Sequence, residues 1–521
     1  MHHCYKVIAL LVGCLFITAT SNAEIKTYTH TVKQSFGGAQ SPDDARIAAI
    51  AKAKREVLEQ AGTYLESMTV VQEGSVTIDQ ITSIAAGVLK VEIISQENYV
   101  SGDAFGIKVV SKVDVDISYL EVRVDQLLQN KCAFDEYQDS DQSIQELLAK
   151  IEFLESENKA LRSLVGDPKK QKQLEIEKGF DQAAKSLEAS ELYQKARSLW
   201  AEDHYGKESD ARQAIEYLNR SIELDPSNAY AYNQRGLAHK ELKEYELALE
   251  DHNRAIAMKP DYFCAFNNRG VIYKRLGKHE KALDEFNTAI DINFEFSLGY
   301  ANRGVVYKNM GDKKRALEDL NKAVELDGKN KYALNNRGIL FNSIEKYDDA
   351  IADFNAIIEM DSKHKYAHYN RGLSLYKKQE YKEALVDFDA AIKIDPEYVK
   401  AYNYRGIVNK SMGNYEAAIE DYDTATQIDP SFRYSYNNRA WVYKKLERYD
   451  EAVEDYSKAI ELDAKYANAY YGRGLSYEKL GQTEKAEIDF RNASRLDPKK
   501  YEKKYKNRGK KQKPCFISTI M

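Results

Sequence analysis

The sequence predicts a mainly α protein: a solenoid of helix–turn–helix repeats, preceded by a small α+β unit and a short coiled coil. Four observations of one period predict it. An Arg-Gly pair recurs at Gly236, Gly270, Gly304, Gly338, Gly372, Gly406 and Gly474, with Ala440 in the remaining place, always 34 residues on. Twelve residues after each stands an alanine, from Ala248 to Ala486, small enough for two helices to touch. Sixteen after stands an apolar or aromatic residue (Phe286, Leu320, Phe354, Phe388, Tyr422, Tyr456, Phe490), with His252 the exception. Pro226, Pro260, Pro396, Pro430 and Pro498 share one phase, where a helix should stop.

Composition narrows the function. Of 521 residues, 43% are hydrophobic and 30% charged, which suits folded, helix-rich structure and excludes wholesale disorder. The net charge of −6 disfavours a chain-wide nucleic-acid binder. Five cysteines cannot build a disulfide scaffold. Tyrosine is the strong bias, with 38 copies, and its amphipathic ring suits half-buried helix faces and binding grooves.

Residues 1–23 read as a secretory signal: a weakly basic start ending at Lys6, an apolar run from Val7 to Ala19, and small residues at Ser21 and Ala23. The alternative is a lipoprotein anchored at Cys14, from Leu11-Val12-Gly13-Cys14. Either places the protein in the periplasm or cell envelope of a bacterium. Export leaves Cys132, Cys264 and Cys515, at most one bridge and one leftover, and the reading favours buried or incidental thiols.

Residues 24–125 form the small α+β unit. A β-rich stretch from Ile25 to Phe36 precedes Ser41-Pro42, a helix start. A weak helix from Ile78 to Ala86 follows, then strands Val88–Val100 and Phe105–Ile117, split by a turn at Ser101-Gly102-Asp103. The stretch DDARIAAIAKAKREVLEQAGTYLES with this hairpin resembles the N-terminal domain of flagellar assembly protein T and related bacterial surface lipoproteins. The resemblance implies an envelope location and leaves open a structural role in an envelope or flagellar ring.

Residues 140–165 carry the coiled coil. Ile144, Ile151, Asn158 and Val165 take heptad position a, and Leu147, Leu154 and Leu161 position d, which favours a parallel homodimer through residues 144–165. Lys150 with Glu155 and Glu157 with Arg162 would pair across it. The alternative is an amphipathic helix packed on its own chain. Gly166-Asp167-Pro168 ends the helix.

The 34-residue period over 180–498, about nine repeats, resembles the tetratricopeptide repeat. That resemblance implies a right-handed solenoid with a concave groove lined by the first helix of each repeat. Two before the glycine stand Asn268, Asn302, Asn336, Asn370 and Asn438; three before stand Asn233, Asn267, Asn335, Asn403 and Asn437. A carboxamide donates and accepts at once, so such rows could hold an extended peptide backbone, or else bond between adjacent repeats. The outer row resembles the asparagine ladder of peptide-binding members. Tyr332, Tyr366 and Tyr434 stand around it, with Lys240, Lys274, Lys308, Lys410 and Lys444 four after the glycine, suiting acidic or aromatic segments. The residue after the glycine is apolar, from Leu237 to Leu475, so the family's carboxylate clamp is not expected.

Arginine before the glycine (Arg235 to Arg473) and an acid fifteen after it (Asp251 to Asp489) recur in every repeat, which suggests ion pairs buried between the helices. Catalytic fingerprints, cofactor motifs and a small-molecule site are not found, and His364 with His368 is a poor metal pair. The protein reads as a binder of protein or peptide partners, not an enzyme. Residues 499–521 form a basic tail whose stretch 499–513 carries a net +8 and could seek an anionic surface.

Overall fold

A computed structural model describes residues 25–36, seven positions between 45 and 56, and residues 91–101, 104–116, 131–161, 167–201 and 208–503. The signal segment with Cys14, the helix start at Ser41, the weak helix at 78–86 and most of the basic tail lie outside the described residues. The chain divides into two compact units, Met1–Phe294 and Glu295–Met521. Among the described residues no helix is long and apolar enough to cross a membrane.

The N-terminal unit opens with strands β1 (Ile25–Phe36), β2 (Val91–Ser101) and β3 (Ala104–Asp116). β3 is central and antiparallel to both neighbours, and Ser101 pairs with Ala104 to close the expected hairpin. Alternation puts Val32, Ile107 and Val109 on one face, against Ala49 and Ala53 of a helical segment. These alanines admit the helix so closely that the Ser111 hydroxyl donates to the Ala53 carbonyl at 2.8 Å.

Next come α1 (Lys131–Leu161) and α2 (Asp167–Ala201). Here the heptad residues are engaged within the chain. Ile144, Leu147, Ile151 and Leu154, the a and d positions, pack on Ile176, Phe180, Ala183 and Leu187 of α2 in the same chain. Glu157 pairs with Lys172 of α2 at 2.8 Å. A heptad stripe is satisfied by any apolar helix beside it, and the neighbouring helix of its own chain is close at hand. The side chains of Glu155, Asn158, Arg162 and Val165 lie outside the described residues.

The repeats follow as helix pairs. Helix α3 (Glu208–Leu224) pairs with α2, then α4 (Ala229–Glu241) with α5 (Tyr245–Met258) and α6 (Phe263–Arg275) with α7 (His279–Ile292). The C-terminal unit holds α8 (Ser297–Asn309), α9 (Lys313–Leu326), α10 (Lys331–Ser343), α11 (Tyr347–Met360), α12 (Lys365–Lys377) and α13 (Tyr381–Ile394). It continues with α14 (Val399–Met412), α15 (Tyr415–Ile428), α16 (Arg433–Lys445), α17 (Tyr449–Leu462), α18 (Ala467–Lys479) and α19 (Thr483–Leu496).

In seven repeats the first helix meets its second where the glycine faces the residue sixteen later, and in the remaining one Ala440 takes that place. A Cβ at Gly338 would come within 2.6 Å of the Phe354 ring, so the pair closes only on glycine. The alanine column is buried throughout, from Ala248 to Ala486. Between the helices, the residue seven after the glycine is left-handed. Gly277, Gly311, Gly413 and Gly481 take φ of 70–85°, and Lys243, Glu345, Gln379 and Glu447 are held at 62–66°.

One bond joins distant parts of the N-terminal unit: Cys132 of α1 is disulfide-bonded to Cys264 of α6. The sequence reading favoured incidental thiols; 132 residues of separation hide a pairing that only the fold brings together.

Candidate functional site

Arginine and acid meet in all eight repeats. Arg371 of α12 grips Asp387 of α13 through Nε at 2.8 Å and Nη2 at 2.6 Å. Its third nitrogen, Nη1, donates to Asn355 of the preceding repeat at 2.6 Å. The same clasp recurs at Arg235 with Asp251 and Asn219, Arg337 with Asp353 and Asn321, Arg405 with Asp421 and Asp389, and Arg473 with Asp489 and Ser457. Burial lifts the carboxyls of Asp353, Asp421 and Asp455 above the ordinary range, while the guanidiniums oppose it. Arginine's fork is what permits two acceptors on one helix and a third on another. This column is a structural clasp within and between repeats.

The asparagine rows interlock. Asn268 Nδ2 donates to Asn233 Oδ1 at 3.1 Å, Asn370 to Asn335 at 2.9 Å, and Asn438 to Asn403 at 3.0 Å. The inner carboxamide of one repeat thus takes one N–H of the outer carboxamide of the next. Asn268, Asn370 and Asn438, all half-buried, each keep a second N–H and a carbonyl oxygen that meet no other partner among the described residues. The inner residue therefore fixes how the outer amide presents itself. Where tyrosine replaces both, at Tyr369 and Tyr404, the rings meet edge-on at 5.7 Å. Where Gly472 replaces the outer residue, Asn437 Oδ1 is buried without a donor.

The remaining expected residues scatter. Asn336 gives its N–H to the Tyr332 carbonyl at 2.9 Å and accepts from Lys308 at 2.7 Å; Asn302 accepts from the Tyr332 hydroxyl at 3.3 Å. Asn267 is buried, and Lys240 pairs with Glu241 at 3.0 Å. Lys274 is half-buried. Burial pulls the ammoniums of Lys308, Lys410 and Lys444 below their usual pKa, and Lys410 lies 5.1 Å over the Trp441 ring. Tyr366 and Tyr434 are exposed and each stands edge-on to a tyrosine of the next repeat, Tyr398 at 5.8 Å and Tyr466 at 5.9 Å. A cation covers each pair: Lys365 and Arg433.

In the N-terminal unit the same face is filled by the chain itself, which the sequence reading missed. Glu136 of α1 is buried there. Its carboxylate accepts from Asn233 at 3.1 Å, Gln234 at 2.7 Å, Tyr193 at 3.3 Å and the Tyr262 hydroxyl. Asp139, one turn on, accepts from Lys259 at 2.7 Å and from the Tyr230 hydroxyl. Burial raises the Asp139 pKa, but the bonds from Lys259 and Tyr230 outweigh it and hold the carboxyl below its usual range. A signal was present: Lys259 stands in a phase that Asp327, Asp361, Asp395, Asp429 and Asp463 occupy elsewhere.

His364 caps its helix by accepting from the Ala367 amide, and His368 lies between Asp387 and the Ser362 carbonyl. Among the described residues no group of three or more His, Cys, Asp or Glu is placed to hold a metal ion.

A family model described as tetratricopeptide repeat matches residues 229–262, 297–330, 366–398, 399–432 and 467–500, and a second of that description matches 265–296. A model described as TPR repeat matches 442–481. Among solved structures, a crystal structure of MamA is 29% identical, with 32% of this chain and 96% of that one covered and a TM-score of 0.29. One of YrrB, described as a TPR protein with an unusual peptide-binding site, is 27% identical, covering 36% and 96%, with a TM-score of 0.29. A tetratricopeptide repeat protein from Parabacteroides merdae is 20% identical, covering 57% and 99%, with a TM-score of 0.34. No curated protein matches the sequence.

Proposed function

Since the segment 229–500 carries tetratricopeptide repeats, we propose that the protein is an exported scaffold whose repeats hold extended segments of partner proteins in the bacterial envelope. The observation that carries this reading is the presentation of Asn370 and Asn438 in the C-terminal unit. Each is oriented by the carboxamide of the preceding repeat and keeps one donor and one acceptor, the complement of a peptide bond. A row of such amides holds a backbone with little regard to its side chains, while the exposed Tyr366 and Tyr434 supply aromatic contact.

Export is supported by the secretory-type start and by the Cys132–Cys264 bridge, a bond that persists in oxidising compartments. In this reading residues 24–125, with their likeness to flagellar assembly protein T, supply location.

The test is direct binding of extended peptides drawn from envelope proteins to the full chain and to an Asn370→Ala/Asn438→Ala variant. Losing two peptide-directed amides should weaken the tightest binders about tenfold or more. Equal affinity for both chains would sink the ladder as a receptor.

A further inference from the structure

The first turns of α1 lie on the face that the repeats elsewhere leave open. Glu136 and Asp139 sit three residues apart, so both carboxylates project from one side of the helix. One takes donors from Asn233 and Gln234, the inner and outer positions of the first regular repeat; the other takes Lys259 and Tyr230. The receptor residues are thus engaged by an acidic segment of the same chain.

A second observation, independent of α1, concerns the place the acid takes. Tyr230 and Tyr262 stand edge-on at 5.1 Å with Lys259 over both rings. The C-terminal unit builds the same corner twice, Tyr366 and Tyr398 under Lys365, and Tyr434 and Tyr466 under Arg433. There the cation is neutralised from within, by Asp395 at 2.6 Å and Asp463 at 3.3 Å. In the N-terminal unit Lys259 occupies that aspartate's own phase, so the corner has a cation and no acid of its own. Here the carboxylate comes from another segment, Asp139 of α1.

The way α1 is held separates the two halves of the helix. From Ile144 to Leu154 it is seated by apolar packing on α2. From Lys131 to Asp139 it is held by charge-assisted hydrogen bonds and by the bridge from Cys132 to Cys264. With that bridge reduced, a competing carboxylate can exchange into the hydrogen bonds one for one, whereas the apolar half has no reason to leave.

We propose that the face formed by Tyr230, Asn233, Gln234, Lys259 and Tyr262 is an acid-reading docking surface, that the first turns of α1 are its resident, exchangeable once a thiol reductant has opened the Cys132–Cys264 bridge, and that the partner which replaces them carries two carboxylates one helical turn apart. This rests on the reading of the repeats as a peptide receptor and specifies what the N-terminal unit accepts.

The probe is a labelled peptide of residues 131–145 with Cys132→Ser, titrated under a thiol reductant that opens the bridge into two full-length chains, native and Glu136→Gln/Asp139→Asn. The variant's resident no longer competes, so it should bind the probe about tenfold tighter than the native chain does. A probe carrying Glu136→Gln and Asp139→Asn should bind neither. Equal binding or no binding to both chains overturns the proposal. Hydrogen exchange guards against a folding defect: the variant should lose protection over 131–139 and keep it over 229–292. Loss across both would make α1 a fixed part of the core and overturn the proposal too. Peptide binding that depends on Asn370 and Asn438 is read in the same chains. If it persists while the probe fails, only this inference falls; if it is missing, the receptor reading itself falls.

Discussion

Replacing His252 by phenylalanine should stabilise the protein, and more so in acid. His252 fills the slot that holds phenylalanine, leucine or tyrosine in the other repeats, is fully buried, and among the described residues has no partner for either ring nitrogen. Burial, helped by Lys240 and Arg269, pushes its pKa from 6.5 down to about 3. The folded chain therefore keeps the ring neutral where an unfolded chain protonates it. The folded pKa being the lower, nothing is lost above 6.5, and stability falls as pH drops from 6.5 towards 3. At pH 5 the cost is about 2 kcal/mol relative to pH 7.5. His252→Phe removes that cost and the unpaired nitrogens, worth about 1–3 kcal/mol more at any pH. Phenylalanine fits, since Phe286 lies against Gly270 as His252 lies against Gly236. Repeat arrays open locally, so the assay is hydrogen exchange over α4 and α5 at both pH values, corrected for intrinsic rates. Other groups titrate too, but they are common to both chains. If the two lose the same protection on acidification, the buried neutral histidine is not the cause.

Three further perturbations test other parts of the account. Glu345→Gly and Glu447→Gly, at left-handed positions where sister repeats carry glycine, should each stabilise by about 1 kcal/mol; a lowered melting temperature would refute the strain argument. Asp387→Asn leaves the Arg371 guanidinium half-matched and should cost about 3 kcal/mol, read as lost exchange protection in α12 and α13; a loss below about 1 kcal/mol would make the clasp decorative. Cys132→Ser opens a loop of 132 residues and should lower stability by about 4–5 kcal/mol on the chain-entropy view. Without reductant the native chain should also migrate faster on a denaturing gel; identical mobility with and without reductant would mean no bridge forms.

The repeats were legible because eight copies of one pattern average out accident: the Arg column, its acids and the close-contact glycine could be placed by phase alone. The partner of α1 was not, since Ile144 to Leu154 would suit a second chain as well as α2. The asparagine rows stayed ambiguous because either use gives the same period. What distinguishes them is pairing between rows, Asn335 with Asn370 and Tyr369 with Tyr404, which relates residues 35 apart. The occupied face was hidden for another reason. Glu136 and Asp139 lie 97 and 120 residues from Asn233 and Lys259, and nothing local marks them except the charge reversal at Lys259.

The arginine clasp also bears on how such a chain can change length. In the C-terminal unit the guanidiniums of Arg337, Arg371, Arg405, Arg439 and Arg473 each reach sixteen residues forward and sixteen back, so these ligands lie within one period on either side. Excising or duplicating one full 34-residue segment, say between Gly338 and Gly372, returns every arginine beside the cut to an acid ahead and a polar acceptor behind. A deletion out of step would strand charges on both sides of the cut. Gene-level recombination can therefore lengthen or shorten this array in whole steps with little penalty, and selection on partner size has a ready substrate.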